Sequence, residues 1–175
     1  MARVAVVGSP GSGKTTFARR LAERDGVPCV ELDALHHLPH WEERPLDDFR
    51  ALVDTELVGD TWVVDGNYRT KVGDIIWSRA DTVVFLDLPR RTCMRRVATR
   101  TFRRVLTREE LWNGNREELR NALSLDPQRS LLVWTWTRHR TYRAGYRASL
   151  NDPQWSHIRF VHLTSQRAVE TFLAG

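Results

Sequence analysis

The segment Gly8-Ser9-Pro10-Gly11-Ser12-Gly13-Lys14-Thr15 fits the pattern GxxxxGK followed by Ser or Thr at every fixed position, and nothing else in the chain constrains the fold as tightly. A loop of this kind needs a strand before it and a helix after it. Both are legible. Ala2–Val7 is a short β-branched apolar run, and Lys14–Arg24 carries Phe17, Ala18 and Leu21 on one helical face. The glycines let the backbone curl until successive N–H groups point inward as an anion nest. The helix N-terminus adds unpaired donors and partial positive charge.

That chemistry points to the phosphates of a nucleoside triphosphate, expected to be ATP, held by Gly8, Ser9, Pro10, Gly11, Ser12, Gly13, Lys14, Thr15 and Thr16. Lys14 is expected to reach the β- and γ-phosphates, and the Thr15 hydroxyl to ligate Mg²⁺.

Downstream, strands and helices alternate. Pro28–Leu32 reads as a second strand, and Asp33–Arg44 lacks periodicity. Pro45 opens a helix carrying Leu46, Phe49, Leu52, Val53 and Leu57, which Gly59-Asp60 ends. Thr61–Val64 and Thr82–Leu86 read as strands three and four, with a short helix over Thr70–Arg79 between them. Pro89 starts an Arg-rich helix to about Leu106; Thr107–Leu125 is polar, with a turn at Trp112-Asn113-Gly114-Asn115. A second long helix is expected from Asp126-Pro127 to Leu150, ended by Asn151–Pro153. Ile158–Leu163 is the fifth strand, and Gln166–Leu173 the last helix. The alternation predicts an α/β fold with a parallel sheet covered on both faces. A chain of 175 residues without repeat or linker is expected to form one domain, 1–175.

The composition excludes little. With 41% hydrophobic and 28% charged residues, the chain has the make-up of an ordinary globular protein. The net charge of +5 is almost all arginine, since Lys14 and Lys71 are the only lysines; it suits a phosphate-bearing partner, small nucleotide or nucleic acid. Cys29 and Cys93 form no CxxC pair and predict neither a disulfide framework nor a zinc site. Met1–Val7 is too short for a secretory core before Gly8 and Pro10, and no run approaches a membrane span, so a cytoplasmic protein is expected.

A carboxylate is needed near Thr15 to hold Mg²⁺. Asp33, Asp65 and Asp87 end strands two, three and four, the edge where open α/β sheets bind ligands. Asp65, which follows Trp62-Val63-Val64, is the expected metal residue, with a turn or capping role as its alternative. Asp33 is expected to hold or deprotonate a phosphate acceptor, or else to cap. Asp87, before Leu88-Pro89, reads as a structural turn residue. Arg96, Arg100 and Arg104 recur at i, i+4, where like charges repel by about 0.2–0.5 kcal/mol per pair. A polyphosphate beside Arg96 and Arg100 would reverse that sign. A solvated basic face paired with Glu109, Glu110, Glu117 and Glu118 is the other reading.

The loop, Trp62–Arg69 and Phe85–Arg100 together resemble the nucleoside monophosphate kinase group, adenylate kinase in particular. Asp65-Gly66-Asn67-Tyr68-Arg69 is similar to that group's Asp-Gly-Phe-Pro-Arg. The resemblance implies a P-loop three-layer sandwich with sheet order 2-3-1-4-5, and a small helical lid at approximately 104–126. It implies an acceptor-binding insertion at approximately 33–59, Asp65 serving magnesium, and Arg69 serving the acceptor's phosphate. Across nearly the full length, Glu31–His36, Trp62–Arg69 and Glu110–Glu117 resemble more closely the adenylate kinase-like proteins labelled DNA topology modulation proteins. Two departures bear on the acceptor. Asn67-Tyr68 replaces Phe-Pro, and His36, His37, His40 and Trp41 stand where a threonine-rich AMP segment would be, which argues against AMP.

The expected activity is therefore transfer of the γ-phosphate of ATP to a small acceptor, a nucleotide or nucleoside, with Lys14, Asp33, Arg69, Arg96 and Arg100 in the catalytic centre. The adenine is expected near Thr164–Arg167. Alternatives are a simple NTPase, and a nucleotide-switched nucleic-acid binder using Trp134, Trp136, Tyr142 and Tyr146 with Arg138, Arg140, Arg143 and Arg147. The three histidines are a weak metal pattern; acceptor recognition, with Trp41 stacking on a ring, and ordinary packing are the other readings. Oligomeric state is not legible.

Overall fold

Strand β1 (Arg3–Gly8) is buried at every residue after its first, because it is the middle of the sheet and has apolar neighbours on both faces. The structure, a computed structural model, describes residues 2–127, 130–150 and 152–175. Among these, α1 (Lys14–Asp25), β2 (Cys29–Glu31), α2 (Leu32–His36), α3 (Leu46–Glu56), β3 (Trp62–Asp65) and α4 (Arg69–Arg79) follow β1. Then come β4 (Thr82–Leu86), α5 (Arg90–Thr107), α6 (Leu119–Ala122), α7 (Leu131–Ser149), β5 (Arg159–Leu163) and α8 (Gln166–Ala174).

The five strands pair in parallel in the order β2-β3-β1-β4-β5, as expected. Side chains alternate across β1: Val4 and Val6 pack with Phe17, Leu21, Val169 and Leu173 of α1 and α8. Ala5 and Val7 pack with Phe49, Val53, Ile76, Trp77 and Tyr146 of α3, α4 and α7. That two-sided burial makes the three-layer sandwich and brings the C-terminal ends of β1, β3 and β4 to one edge. Register sets Val6 beside Asp65 and Gly8 beside Leu86.

Some expectations give way to the structure. Asp33 does not sit in irregular chain; it lies in the single turn of α2. The second long helix starts at Leu131, not at Asp126-Pro127. Ser130 is its cap, accepting the Val133 N–H at 3.4 Å. Asn151, expected to end that helix, falls outside the described residues. The 104–126 segment holds the end of α5, a 3₁₀ turn at Trp112–Gly114, and the four-residue α6. No helix among the described residues is long and apolar enough to cross a membrane.

Candidate functional site

The loop between β1 and α1 is shaped by what it presses on. Gly11 has φ 76, and a Cβ there would strike the Cys93 carbonyl on α5 and sit 2.8 Å from Val97 Cγ2. Only glycine lets the loop lie this close to α5. Gly13, at φ 93, is the N-cap of α1 and turns the chain into the helix. Ser9 and Ser12 are buried beneath the loop. Asn67, just past β3, grips the start of the loop from the other side: its Oδ1 accepts the Gly8 N–H at 3.2 Å and its Nδ2 donates to the Gly8 carbonyl at 2.6 Å.

Thr15 donates its hydroxyl to Asp65 Oδ2 at 2.5 Å. Asp65 is 5% exposed, and its other oxygen, Oδ1, has no hydrogen-bond partner among the described residues. Burial raises the Asp65 pKa against the pull of Lys14 and Thr15. Lys14 donates to the Ser9 carbonyl at 3.4 Å, and burial lowers its pKa despite Asp65 and Asp33. A hydroxyl on one oxygen of a buried carboxylate whose other oxygen is free is a donor set suited to a divalent cation beside phosphate. The residues present thus fit Mg²⁺, which Thr15 and Asp65 would hold.

Arg96 reaches the loop from α5, donating to the Ser12 carbonyl at 3.3 Å and to Gln166 Oε1 at 2.8 Å. Arg100 is the more unusual cation. Its Nε is buried without a partner among the described residues, and burial, then the like charge of Arg104, lowers its pKa. Arg95, Arg96, Thr99, Arg100 and Arg103 line an open depression of about 470 Å³. The acid-paired reading applies to the far end of this helix instead. Arg104 pairs with Glu117 at 3.0 Å and Glu109 at 3.4 Å, and Arg103 with Glu109 at 2.9 Å.

Asp33 accepts the Tyr68 hydroxyl at 2.7 Å, and its charge bears on both Lys14 and Arg100. Arg69 is placed differently. It donates to the Gly145 carbonyl at 3.2 Å and lies 4.9 Å over the Trp77 ring, and neither partner belongs to the loop or to the Asp33 segment. Thr16 is exposed at the start of α1, and Pro10 is partly buried in the loop. Asp87 is more than a turn residue: it is a buried hub meeting Arg143 at 2.6 Å, Arg147 at 2.9 Å and His162 at 2.8 Å.

The histidines form no metal cluster among the described residues. His36 is buried against Phe49 and Tyr68; His37 stacks on Trp112 and meets Trp41 edge-on. Trp41 is spoken for by the 110–116 segment, its backbone N–H donating to Asn115 Oδ1 at 2.8 Å and its indole to the Arg116 carbonyl at 3.0 Å.

A family model described as an AAA domain matches residues 4–121, the stretch from β1 through the phosphate loop and Asp65 to α6. The chain belongs to this AAA-domain family. The fold of this AAA-domain protein is also that of a gluconokinase from Sinorhizobium meliloti (TM-score 0.52, 22% identity, 99% of this chain and 91% of that one). It is likewise that of a shikimate kinase from Acinetobacter baumannii solved with shikimate (TM-score 0.55, 18% identity, 99% and 89%). A ribosome biogenesis protein, BMS1 of Saccharomyces cerevisiae, is 31% identical over 104 residues, 54% of this chain; the match spans only 8% of that protein's length.

Sequence reasoning missed three contributors. Asn67 and Tyr68 are legible in the sequence only as departures from Phe-Pro, although a carboxamide can accept from one backbone N–H and donate to a nearby carbonyl. Asn115 is buried and donates to the Leu38 and Trp112 carbonyls, both at 2.9 Å. Its partners lie too far off in sequence to be read.

Proposed function

We propose that this AAA-domain protein is an ATP-dependent phosphotransferase acting on a small hydroxyl-bearing acceptor. One observation carries the reading: Lys14, the Thr15–Asp65 pair, Arg96 and Arg100 surround one phosphate loop, and the charge of Asp33 reaches both Lys14 and Arg100.

In this reading the loop amides and Lys14 bind the donor's phosphates. Thr15 and Asp65 hold Mg²⁺, which when bound offsets phosphate charge and orients the phosphate oxygens. Arg96 and Arg100 face the charge that spreads over the transferring group, and the buried Nε of Arg100 is screened less than an exposed guanidinium would be. Asp33, fixed through Oδ1 by Tyr68, orients the acceptor hydroxyl and takes its proton. Residues 110–116, tied across the Asp33 segment, keep water from the centre, since hydrolysis competes with transfer. Gln166, bound to Arg96, lies where the adenine segment is expected.

The test is ATP consumption with Mg²⁺ across a panel of small alcohols, nucleosides and nucleoside monophosphates, with Lys14→Ala as control. Acceleration by one acceptor, lost in the control, is expected. Turnover that no acceptor changes, equal in the control, rules the reading out.

The nucleic-acid alternative has less to rest on. The Arg143 and Arg147 side chains are drawn to Asp87, and Tyr146 is buried, which removes three of the expected contact residues from the surface chemistry this reading needs.

A further inference from the structure

The segments flanking Asp33 form a second, differently built surface. Tyr68 joins Asp33 to His37, its hydroxyl lying 2.7 Å from Asp33 Oδ1 and 3.4 Å from His37 Nε2. His37 stacks on Trp112 with ring centroids 6.5 Å apart and planes 27° from parallel. Trp112 is anchored by its indole N–H, donated to Glu31 Oε2 at 3.2 Å, and Asn113 beside it donates to the Ala34 carbonyl at 3.3 Å. The result is a carboxylate beside three ring-bearing residues on the acceptor side of the loop.

Cations in the same neighbourhood are engaged by the protein. Lys71 pairs with Glu43 at 2.7 Å and lies 3.1 Å from His36 Nε2. Arg50 grips Asp74 with two bonds, at 2.9 and 2.6 Å. Arg44 gives its Nε to the Leu35 carbonyl at 2.7 Å, and Arg69 is tied to Gly145 and Trp77. Burial lowers the pKa of His36 and of His37, which favours their neutral forms. A bound phosphate monoester would ask for a bidentate guanidinium or a free ammonium. Arg96 is held by the Ser12 carbonyl and Gln166, and Arg100, whose Nε has no partner among the described residues, lies on α5 beside the phosphate loop.

We infer that the acceptor is an uncharged ring-bearing alcohol, a nucleoside or a cyclic polyol, and not a molecule already carrying a phosphate. The inference rests on the phosphotransferase reading and narrows it. Asp33 receives a hydrogen bond from the alcohol while Tyr68, His37 and Trp112 offer flat faces to its ring. In the transfer, the acceptor oxygen forms a bond to the γ-phosphorus of the nucleoside triphosphate. The bond from that phosphorus to the β,γ-bridging oxygen breaks, the nucleoside diphosphate leaves with the electron pair, and Asp33 takes the alcohol's proton.

The test pairs each uncharged probe with its phosphorylated counterpart: adenosine and cytidine against their 5′-monophosphates, glucose and inositol against their monophosphates. Each is titrated calorimetrically into the full chain and assayed for acceleration of ATP turnover, with Trp112→Leu alongside. The expected result is that one uncharged probe binds at least about tenfold more tightly than its phosphate ester and accelerates turnover. Trp112→Leu is expected to weaken that probe about tenfold while leaving ATP affinity unchanged. A phosphate ester that binds tighter and accelerates turnover overturns this inference and leaves phosphotransfer standing. Absence of binding and acceleration by every probe, in both forms, overturns the acceptor site and the phosphotransferase reading together.

Discussion

Asn67 holds the two peptide groups that flank Gly8, accepting the Gly8 N–H at 3.2 Å and donating to the Gly8 carbonyl at 2.6 Å, while the Tyr146 hydroxyl steadies the same carboxamide at 3.1 Å. The phosphate loop therefore leaves β1 with its first peptide already oriented by β3's exit. Hydrogen bonds of this kind contribute about 0.5–1.5 kcal/mol each. Asn67→Ala is expected to weaken ATP binding about tenfold and to lower Tm by a few degrees. Calorimetric titration and thermal unfolding check this; unchanged Kd and Tm would mean that Gly8 needs no such support.

On the phosphotransferase reading, burying the Asp65 carboxylate beside Thr15 burdens the fold in return for a metal site. Asp65→Asn keeps an acceptor for the Thr15 hydroxyl but removes a buried charge. The expected outcome is a loss of about 100-fold in kcat/KM, equivalent to about 2.7 kcal/mol, and of most Mg²⁺ dependence. Tm should stay level or rise. A variant that is both less stable and fully active would place the pair in structure alone.

Asp87 gives the fold a predictable acid sensitivity. Its burial pushes the pKa up, but hydrogen bonds from His162, Arg143 and Arg147 outweigh it and hold the carboxyl below the ordinary range. Below about pH 4, the ordinary carboxylate value, the unfolded chain binds the proton that folded Asp87 still refuses, so stability rises with pH in that window. The contribution is whole above it and lost as pH falls through the folded pKa. Asp87→Asn is expected to cost about 1.5–3 kcal/mol at pH 7 and to flatten the Tm profile below about pH 4. An equally steep profile in the variant would contradict the assignment.

Asn115 is the pin between the Asp33 segment and residues 110–116. Asn115→Ala removes three buried hydrogen bonds, to Trp41, Leu38 and Trp112. Amide exchange should quicken in residues 38–42 and 110–116, and hydrolysis should gain on transfer several-fold. Unchanged exchange at both segments would show that the clasp contributes nothing.

What could be read from the chain follows from the range of the interactions. Val4–Val7, Trp62–Val64 and Val83–Leu86 announce buried parallel strands because every side chain there must be apolar. The phosphate loop is legible because its chemistry is local. The start of α7 is not: Asp126-Pro127 is the start signal read in the sequence, whereas Ser130 caps the helix by accepting the Val133 N–H. The hub at Asp87 joins residues 56 to 75 positions away, and the Asn115 clasp joins residues 74 and 77 apart. No periodicity marks such partners. Arg96 and Arg100 share a helix face in sequence, but only packing separates them from Arg103 and Arg104, whose glutamates neutralise them.

The most direct measurement of the central claim separates transfer from hydrolysis. With γ-labelled ATP, Mg²⁺ and the accelerating acceptor, label is followed into phosphorylated acceptor and into free phosphate. The account predicts label mostly on the acceptor in the native chain, and a fall of at least about 100-fold in that product with Lys14→Ala. Label appearing only as free phosphate, at a rate indifferent to the acceptor, would contradict it.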